Sequence, residues 1–182
     1  MLLMGLYVFT FPKYKTEEIT GAFFGVCYVP VMLSFLYQTR EMQDGVYLVW
    51  LIFLSSWGCD TCAYCSGMLL GKHKLAPVLS PKKSIEGAIG GTLGSAILGL
   101  IYAWIFGSRM HGIEEPVIAC TAACAIAAVI SQIGDLAASA IKRNHKVKDY
   151  GHIIPGHGGI LDRFDSMIFT APAIYFVLTF LG

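Results

Sequence analysis

The apolar and polar positions divide the chain into long oily stretches separated by short charged ones. Ile19 to Tyr37, Val46 to about Leu70, Gly87 to Phe106, Pro116 to Arg143 and Ser166 to Leu181 approach or exceed the roughly 20 residues that a helix needs to cross hydrocarbon. Met1 to Phe11 is apolar but too short to span, and it lacks the basic start and small-residue cleavage site of a signal peptide. The alternation expected of a membrane β-barrel is absent, and lipid offers no partner to an unpaired backbone group, so the spans must be helices. The pattern predicts an all-α fold, a polytopic integral membrane helical bundle. It has about five full spans plus a short N-terminal apolar segment, forming one domain over 1–182. Pro30 is expected to kink the first span, Pro116 suits a first helical turn, and Pro77 and Pro81 break the basic loop Lys72 to Glu86.

Composition sharpens this picture. Hydrophobic residues make up 55% of the chain and charged ones 14%, with mean hydropathy +0.63; soluble domains carry about 25% charged residues. The net charge of +1 says little, but its distribution says more. Lys72, His73, Lys74, Lys82 and Lys83 form one basic cluster, and Lys142, Arg143, His145, Lys146 and Lys148 form another. Neither has the aromatic interleaving or broad basic face of a nucleic-acid binder, so no nucleic-acid partner is expected. The two clusters lie two spans apart and therefore share a membrane face, with Lys13 and Lys15 beside them. The positive-inside rule makes that face cytoplasmic. The expected setting is a multi-pass protein of the cell (plasma or inner) membrane. The six cysteines sit mostly in apolar surroundings, which suits small buried side chains better than a disulfide framework.

The most chemically loaded segment runs from Ser139 to Asp165. It carries three carboxylates, five Lys or Arg side chains and four glycines around one proline. Glycines let backbone amides approach and cradle phosphate, Lys and Arg neutralise its oxygens, and Asp suits Mg²⁺, which prefers hard oxygen ligands. Just upstream, Asp135 interrupts an apolar helix, where an unpartnered carboxylate is costly. Ser131, Asp135, Ser139 and Lys142 fall on one helical face. Asp135 is either paired with Lys142 as a structural ion pair or a metal ligand together with Asp162 and Asp165.

A second group runs from Asp60 to Gly87. Asp60 and Tyr64 share a helix face, followed by Lys72 and the run Ser80, Pro81, Lys82, Lys83, Ser84. The lysines suit triphosphate, although flanking charges under the positive-inside rule look the same. Cys59, Cys62 and Cys65 have spacing reminiscent of a metal cluster, but no fourth cysteine follows at the required distance, so packing is the expectation. His157 is expected at the site, His73 is a further candidate, and His111 belongs on the outer surface. No nucleophilic triad or Walker loop is present.

The pattern S-x-x-K-R-x4-K-D-x5-P-G-H-G-G-x-x-D-R-x-D resembles the signature of the phosphatidate cytidylyltransferase (CDP-diacylglycerol synthase) family. Here it is carried by Ser139, Lys142, Arg143, Lys148, Asp149, Pro155, Gly156, His157, Gly158, Gly159, Asp162, Arg163 and Asp165. D-x-x-A-Y-x-x-G-x-x-x-G-K at Asp60 to Lys72 and S-P-K-K-S-x-E-G at Ser80 to Gly87 resemble the family's other block, with Ser84 where threonine is common. The family usually has further membrane helices ahead of this region. The resemblance therefore covers nearly all of this chain but the C-terminal portion of the family.

The resemblance implies Mg²⁺-dependent transfer from CTP to phosphatidate, giving CDP-diacylglycerol and pyrophosphate. The metal is Mg²⁺, alone or with a second cation, and the site faces the cytoplasm. It implies Asp135, Asp162 and Asp165 as metal ligands, with Lys142 beside them in catalysis. Substrate contacts fall to Asp60, Tyr64, Lys72, Ser80, Lys82, Lys83, Ser139, Arg143, Lys148, Gly156, His157, Gly158, Gly159 and Arg163. Homodimerisation is implied too, with the small-residue stretch Gly87 to Gly99 as its sequence support. The alternatives are the same chemistry on another lipid phosphate, such as an isoprenoid ether lipid, or a membrane anion transporter. The transporter is disfavoured because no repeated halves are visible.

Overall fold

The computed structural model describes residues 1–147, 149–151 and 159–181, and the backbone alone of Arg163. Helix α1 (Leu2–Phe9) is short and has no buried residue. Helix α2 (Thr16–Glu41) opens on a one-sided cap, with the Glu18 carboxylate accepting from the Lys15 N–H at 2.8 Å. Pro30 sits inside it without ending it. Helices α3 (Gly45–Phe53) and α4 (Cys59–Leu70) form one span, joined by a π turn at Leu54–Gly58. Such turns widen a helix locally and concentrate at functional sites; this one lies just upstream of Asp60.

The basic segment expected as a plain loop is instead a small antiparallel ribbon, β1 (Lys74–Ala76) and β2 (Ser80–Ser84), with Lys74 opposite Ser84 and Ala76 opposite Ser80. Pro77 lies in its turn. Pro81 is tolerated within β2 because a two-stranded ribbon leaves outer edges that need no amide donor. Ser84 ends the ribbon and caps helix α5 (Ile85–Phe106), its hydroxyl accepting from the Gly87 N–H at 3.1 Å. Helix α6 (Pro116–Asn144) begins on its proline. Helix α7 (Leu161–Leu181) starts at Leu161 rather than at the expected Ser166, so the D-R-x-D run is helical.

Among the described residues, five helical segments are long and apolar enough to cross a bilayer: Thr16–Glu41, Gly45–Leu70, Ile85–Arg109, Pro116–Asn144 and Phe164–Leu181. The molecule is an all-α, multi-pass membrane bundle with one small ribbon among the described residues. Helix α6 is central, packing on α5 and α7, while α4 packs on α5 and α2 on α7. It buries Ala119, Cys120, Ala123, Cys124, Ala127 and Ala128. Larger side chains from α3 and α7, among them Leu48, Leu51, Ile52, Met167, Ile174 and Leu178, complete the core.

Close approach of backbones replaces water exclusion as the packing principle between spans. Helix α5 buries Gly87, Gly91, Ser95 and Gly99, one per turn. A Cβ added at Gly91 would stand 3.0 Å from the Cys59 carbonyl oxygen, and one at Gly99 would stand 2.8 Å from that of Cys120. The glycines taken as support for a homodimer are therefore committed inside the chain, against α4 and α6.

Candidate active site

At the C-terminal end of α6, the Lys142 ammonium lies 2.9 Å from Asp162 Oδ1 and 3.6 Å from Asp165 Oδ2. The helical start of α7 puts both carboxylates on the side that faces Lys142, because residues three apart share a helix face. The three side chains are 13%, 6% and 12% exposed, so this is a buried ion cluster rather than a surface one. The structural Asp135–Lys142 pair, one of the two alternatives for Asp135, is not among the ion pairs of the described residues. Lys142 reaches forward to α7, and Asp135 is paired with Lys83 from the β-ribbon.

The second oxygen of Asp162 accepts the backbone N–H groups of Tyr150 at 2.8 Å and Gly159 at 3.0 Å. Burial pushes its carboxyl up, but the Lys142 hydrogen bond and the two amides outweigh this and hold it below the usual carboxylate range. Residues 151 and 159 are thereby drawn together. A Cβ at Gly159 would stand 2.8 Å from the Gly151 nitrogen, a closeness that only glycine permits. The Tyr150 ring lies 5.1 Å from the Lys142 ammonium, and its hydroxyl donates to the Ala138 carbonyl at 3.2 Å. Burial raises the Tyr150 phenol pKa, and Lys142 opposes that only in part.

Asp60, below the π turn, faces the same region. Its Oδ2 is 3.5 Å from the Ser166 hydroxyl, which lies 2.7 Å from that of Ser56. Its carboxylate is within electrostatic range of Asp135 and Asp165 as well as of Lys83. Asp60, Asp135, Asp162 and Asp165 thus share a neighbourhood in which Lys83 and Lys142 are the contacting ammonium groups among the described residues. Hard oxygen donors carrying more negative charge than these lysines balance are a donor set that suits a divalent cation. Among the described residues no three His, Cys, Asp or Glu side chains converge tightly enough to hold an ion as they stand.

Beside the carboxylates, a cavity of about 370 Å³ opens between the ribbon and helices α4, α5 and α6. Asp60, Tyr64, Lys82, Lys83, Ser84 and Gln132 are on its wall. Gln132 was not singled out in the sequence, although it is three residues from Asp135 on α6. Its amide donates to the Ala88 carbonyl at 3.1 Å and the Thr92 hydroxyl at 3.0 Å. Glu86, the acidic position of the S-P-K-K-S-x-E-G block, carries no role assigned from the sequence. It accepts the backbone N–H groups of Lys72 and His73 and the His73 ring, pinning the ribbon to the start of α5.

The remaining expected residues divide. Ser139 is half-buried on α6 and Ser80 on β2, while Lys72 and Arg143 are exposed. Lys148, Gly156, His157 and Gly158 lie outside the described residues, as does the side chain of Arg163. Cys59 is buried, Cys62 half-buried and Cys65 exposed, all as free thiols. Among the described residues they do not form a group that could hold a metal ion.

Comparison with known proteins shows the family. The family model described as the cytidylyltransferase family matches residues 1–181. A phosphatidate cytidylyltransferase of Staphylococcus haemolyticus is 37% identical over 177 residues, covering 97% of this chain and 65% of that protein. One from Staphylococcus aureus is 39% identical over 166 residues, covering 91% and 61%. The chain thus spans less than two thirds of the length of these curated relatives. With the family model matching almost the whole chain, the chain belongs to the cytidylyltransferase family.

Proposed function

We propose that this chain carries the catalytic region of a phosphatidate cytidylyltransferase, joining CTP and phosphatidate into CDP-diacylglycerol and pyrophosphate. The observation that carries the reading is the gathering of Asp60, Asp135, Asp162 and Asp165 with Lys83 and Lys142 beside a cavity in a membrane bundle. The names of the relatives support it.

In the reaction, an oxygen of the lipid phosphate attacks the α-phosphorus of CTP. The bond from that phosphorus to the oxygen bridging to the β-phosphate breaks, and pyrophosphate leaves with the electron pair. The attacking phosphate is already anionic, so no strong base is required. Repulsion between phosphates and the charge growing on the leaving group oppose the step, and preorganised cations relieve both. Lys142, held between Asp162 and Asp165 under Tyr150, is positioned as such a cation. Lys82 and Lys83 on the cavity wall suit the triphosphate, with Lys72, Arg143, Lys148 and Arg163 as further contacts.

Asp135 and Asp165, with Asp162 beside them, are the residues that would hold Mg²⁺; the ion supplies charge neutralisation at the CTP phosphates when bound. Asp162 also fixes the neck of the 151–159 segment, and the amides of Gly156 to Gly159 serve phosphate. The site faces the cytoplasm of a cell membrane, where CTP is found, while the lipid substrate arrives within the bilayer. Pyrophosphate release on mixing CTP, Mg²⁺ and phosphatidate tests the reading. Asp135→Asn is expected to abolish turnover while the protein stays folded, and undiminished turnover would sink the assignment.

A further inference from the structure

A second cavity, of about 410 Å³, adjoins the first. Its wall comes from α5 and α6, with Thr92 and Leu93 on one side and Val129, Ile133 and Leu136 on the other. Leu93 and Ile133 are each 59% exposed and Val129 is 48% exposed, and both helices are spans, so this groove faces hydrocarbon. Leu75, Ala88 and Gln132 line both cavities. Leu75 sits on the ribbon rim, and Gln132 is tied to α5 by its amide. The two spaces therefore adjoin across these shared side chains, one carrying Asp60, Lys82 and Lys83, the other almost wholly apolar. Each falls within the range of about 300–1,000 Å³ typical of ligand sites.

The geometry points to the α5/α6 groove as the seat of one hydrocarbon tail of the lipid phosphate substrate, with its phosphate turned past Gln132 toward the polar cavity where Lys82 and Lys83 meet the triphosphate. This rests on the functional reading above and adds to it the path by which the lipid is held. A molecule with an anionic head and an apolar tail matches the two adjoining spaces taken together. CTP matches only the polar end, because an apolar groove leaves its hydrogen-bonding groups unpaired.

The test compares dioleoyl with dihexanoyl phosphatidate on the purified protein in mixed micelles. Leu93→Trp and Ile133→Trp fill the groove. They are expected to raise KM for the dioleoyl substrate about tenfold, the scale of losing a methylene or two from an apolar pocket. KM for CTP and turnover of the dihexanoyl substrate stay unchanged. Val26→Trp, at a similarly exposed apolar position on α2, leaves every constant as it was. Wild-type KM for dioleoyl phosphatidate in both groove variants overturns the inference, and is the result expected if bulk lipid, a further helix or a second copy covers the groove. A groove variant inactive on both substrates is misfolded, and the milder Thr92→Leu then decides by the same readout.

A measurement independent of turnover separates the two readings. Phosphatidate carrying a diazirine in its tail is expected to label residues 88–93 and 129–136, with competition by phosphatidate and not by phosphatidylcholine. Labelling without any CDP-lipid product sinks the functional reading and leaves the groove standing. Product without labelling there sinks the groove.

Discussion

Lys142 and Asp162 meet at 2.9 Å across the gap between the end of α6 and the start of α7, although twenty positions separate them in the chain. The contact closes the segment that carries the family signature and sets the ammonium between two carboxylates, with Asp165 Oδ2 at 3.6 Å. Position and charge balance therefore depend on one side chain.

Lys142→Met is the direct test of that dependence. It leaves Asp162 and Asp165 buried without their ammonium partner, and breaking a buried pair from one side costs about 3–5 kcal/mol. Thermal unfolding in detergent is expected to show a clearly lowered midpoint. Turnover falls at least about a hundredfold, the scale of losing one preorganised donor. Lys142→Arg keeps the charge, but a planar fork does not replace a compact ammonium bridging two oxygens. It is expected to recover most of the stability and little of the rate. Full activity in either variant contradicts the placement of Lys142 at the reacting phosphates.

Asp162 predicts a pH dependence with a definite sign. Its folded pKa is depressed below the unfolded value of about 3.9, despite burial, by Lys142 and by the amides of Gly159 and Tyr150. A depressed carboxyl contributes stability that is present above the unfolded pKa and lost as pH falls through the folded one. The neck at residues 151 and 159 should thus stay closed from about pH 5 to 8 and open only below about pH 4. Hydrogen exchange at the Tyr150 amide, corrected for intrinsic rates, reads this directly. In Asp162→Asn that amide is expected to exchange faster throughout, and equal protection in both proteins removes Asp162 from the neck.

Much of this was legible in the sequence, for reasons that particular residues make plain. Runs of apolar residues long enough to cross a bilayer leave helix as the sole solution, so the spans follow from length and composition. Asp135 stood out because a carboxylate in an oily helix needs a partner, and Asp60 because it shares a helix face with Tyr64 ahead of the basic block. Which partner it finds was not legible. A face shared by Asp135 and Lys142 is a local property of α6, whereas the pairing of Asp135 with Lys83 depends on where the ribbon folds over the bundle. The ribbon itself was hidden, because two prolines and four lysines between Lys72 and Lys83 carry no strand pattern. Gln132 escaped notice since a lone amide within a long helix has many bland explanations. Its meaning comes from Ala88 and Thr92 on another helix.

The glycines of α5 make the last prediction, and two positions separate propensity from packing. At Gly25 on α2 a Cβ would meet nothing within 4 Å, whereas at Gly99 it would meet the Cys120 carbonyl oxygen and the Cys124 sulfur, each at 2.8 Å. Alanine is the better helix former by about 1 kcal/mol, so Gly25→Ala is expected to be neutral or slightly stabilising. At Gly99 the same gain is set against a backbone oxygen that cannot rotate away, so α5 and α6 must separate. Overpacking of this kind costs about 1–3 kcal/mol, and the penalty wins. Unfolding midpoints of the two alanine variants in one detergent should therefore move in opposite directions or differ by the full penalty. Equal midpoints would mean that α5 and α6 are not held at backbone contact, and that the cavity wall they form is looser than Gly99 requires.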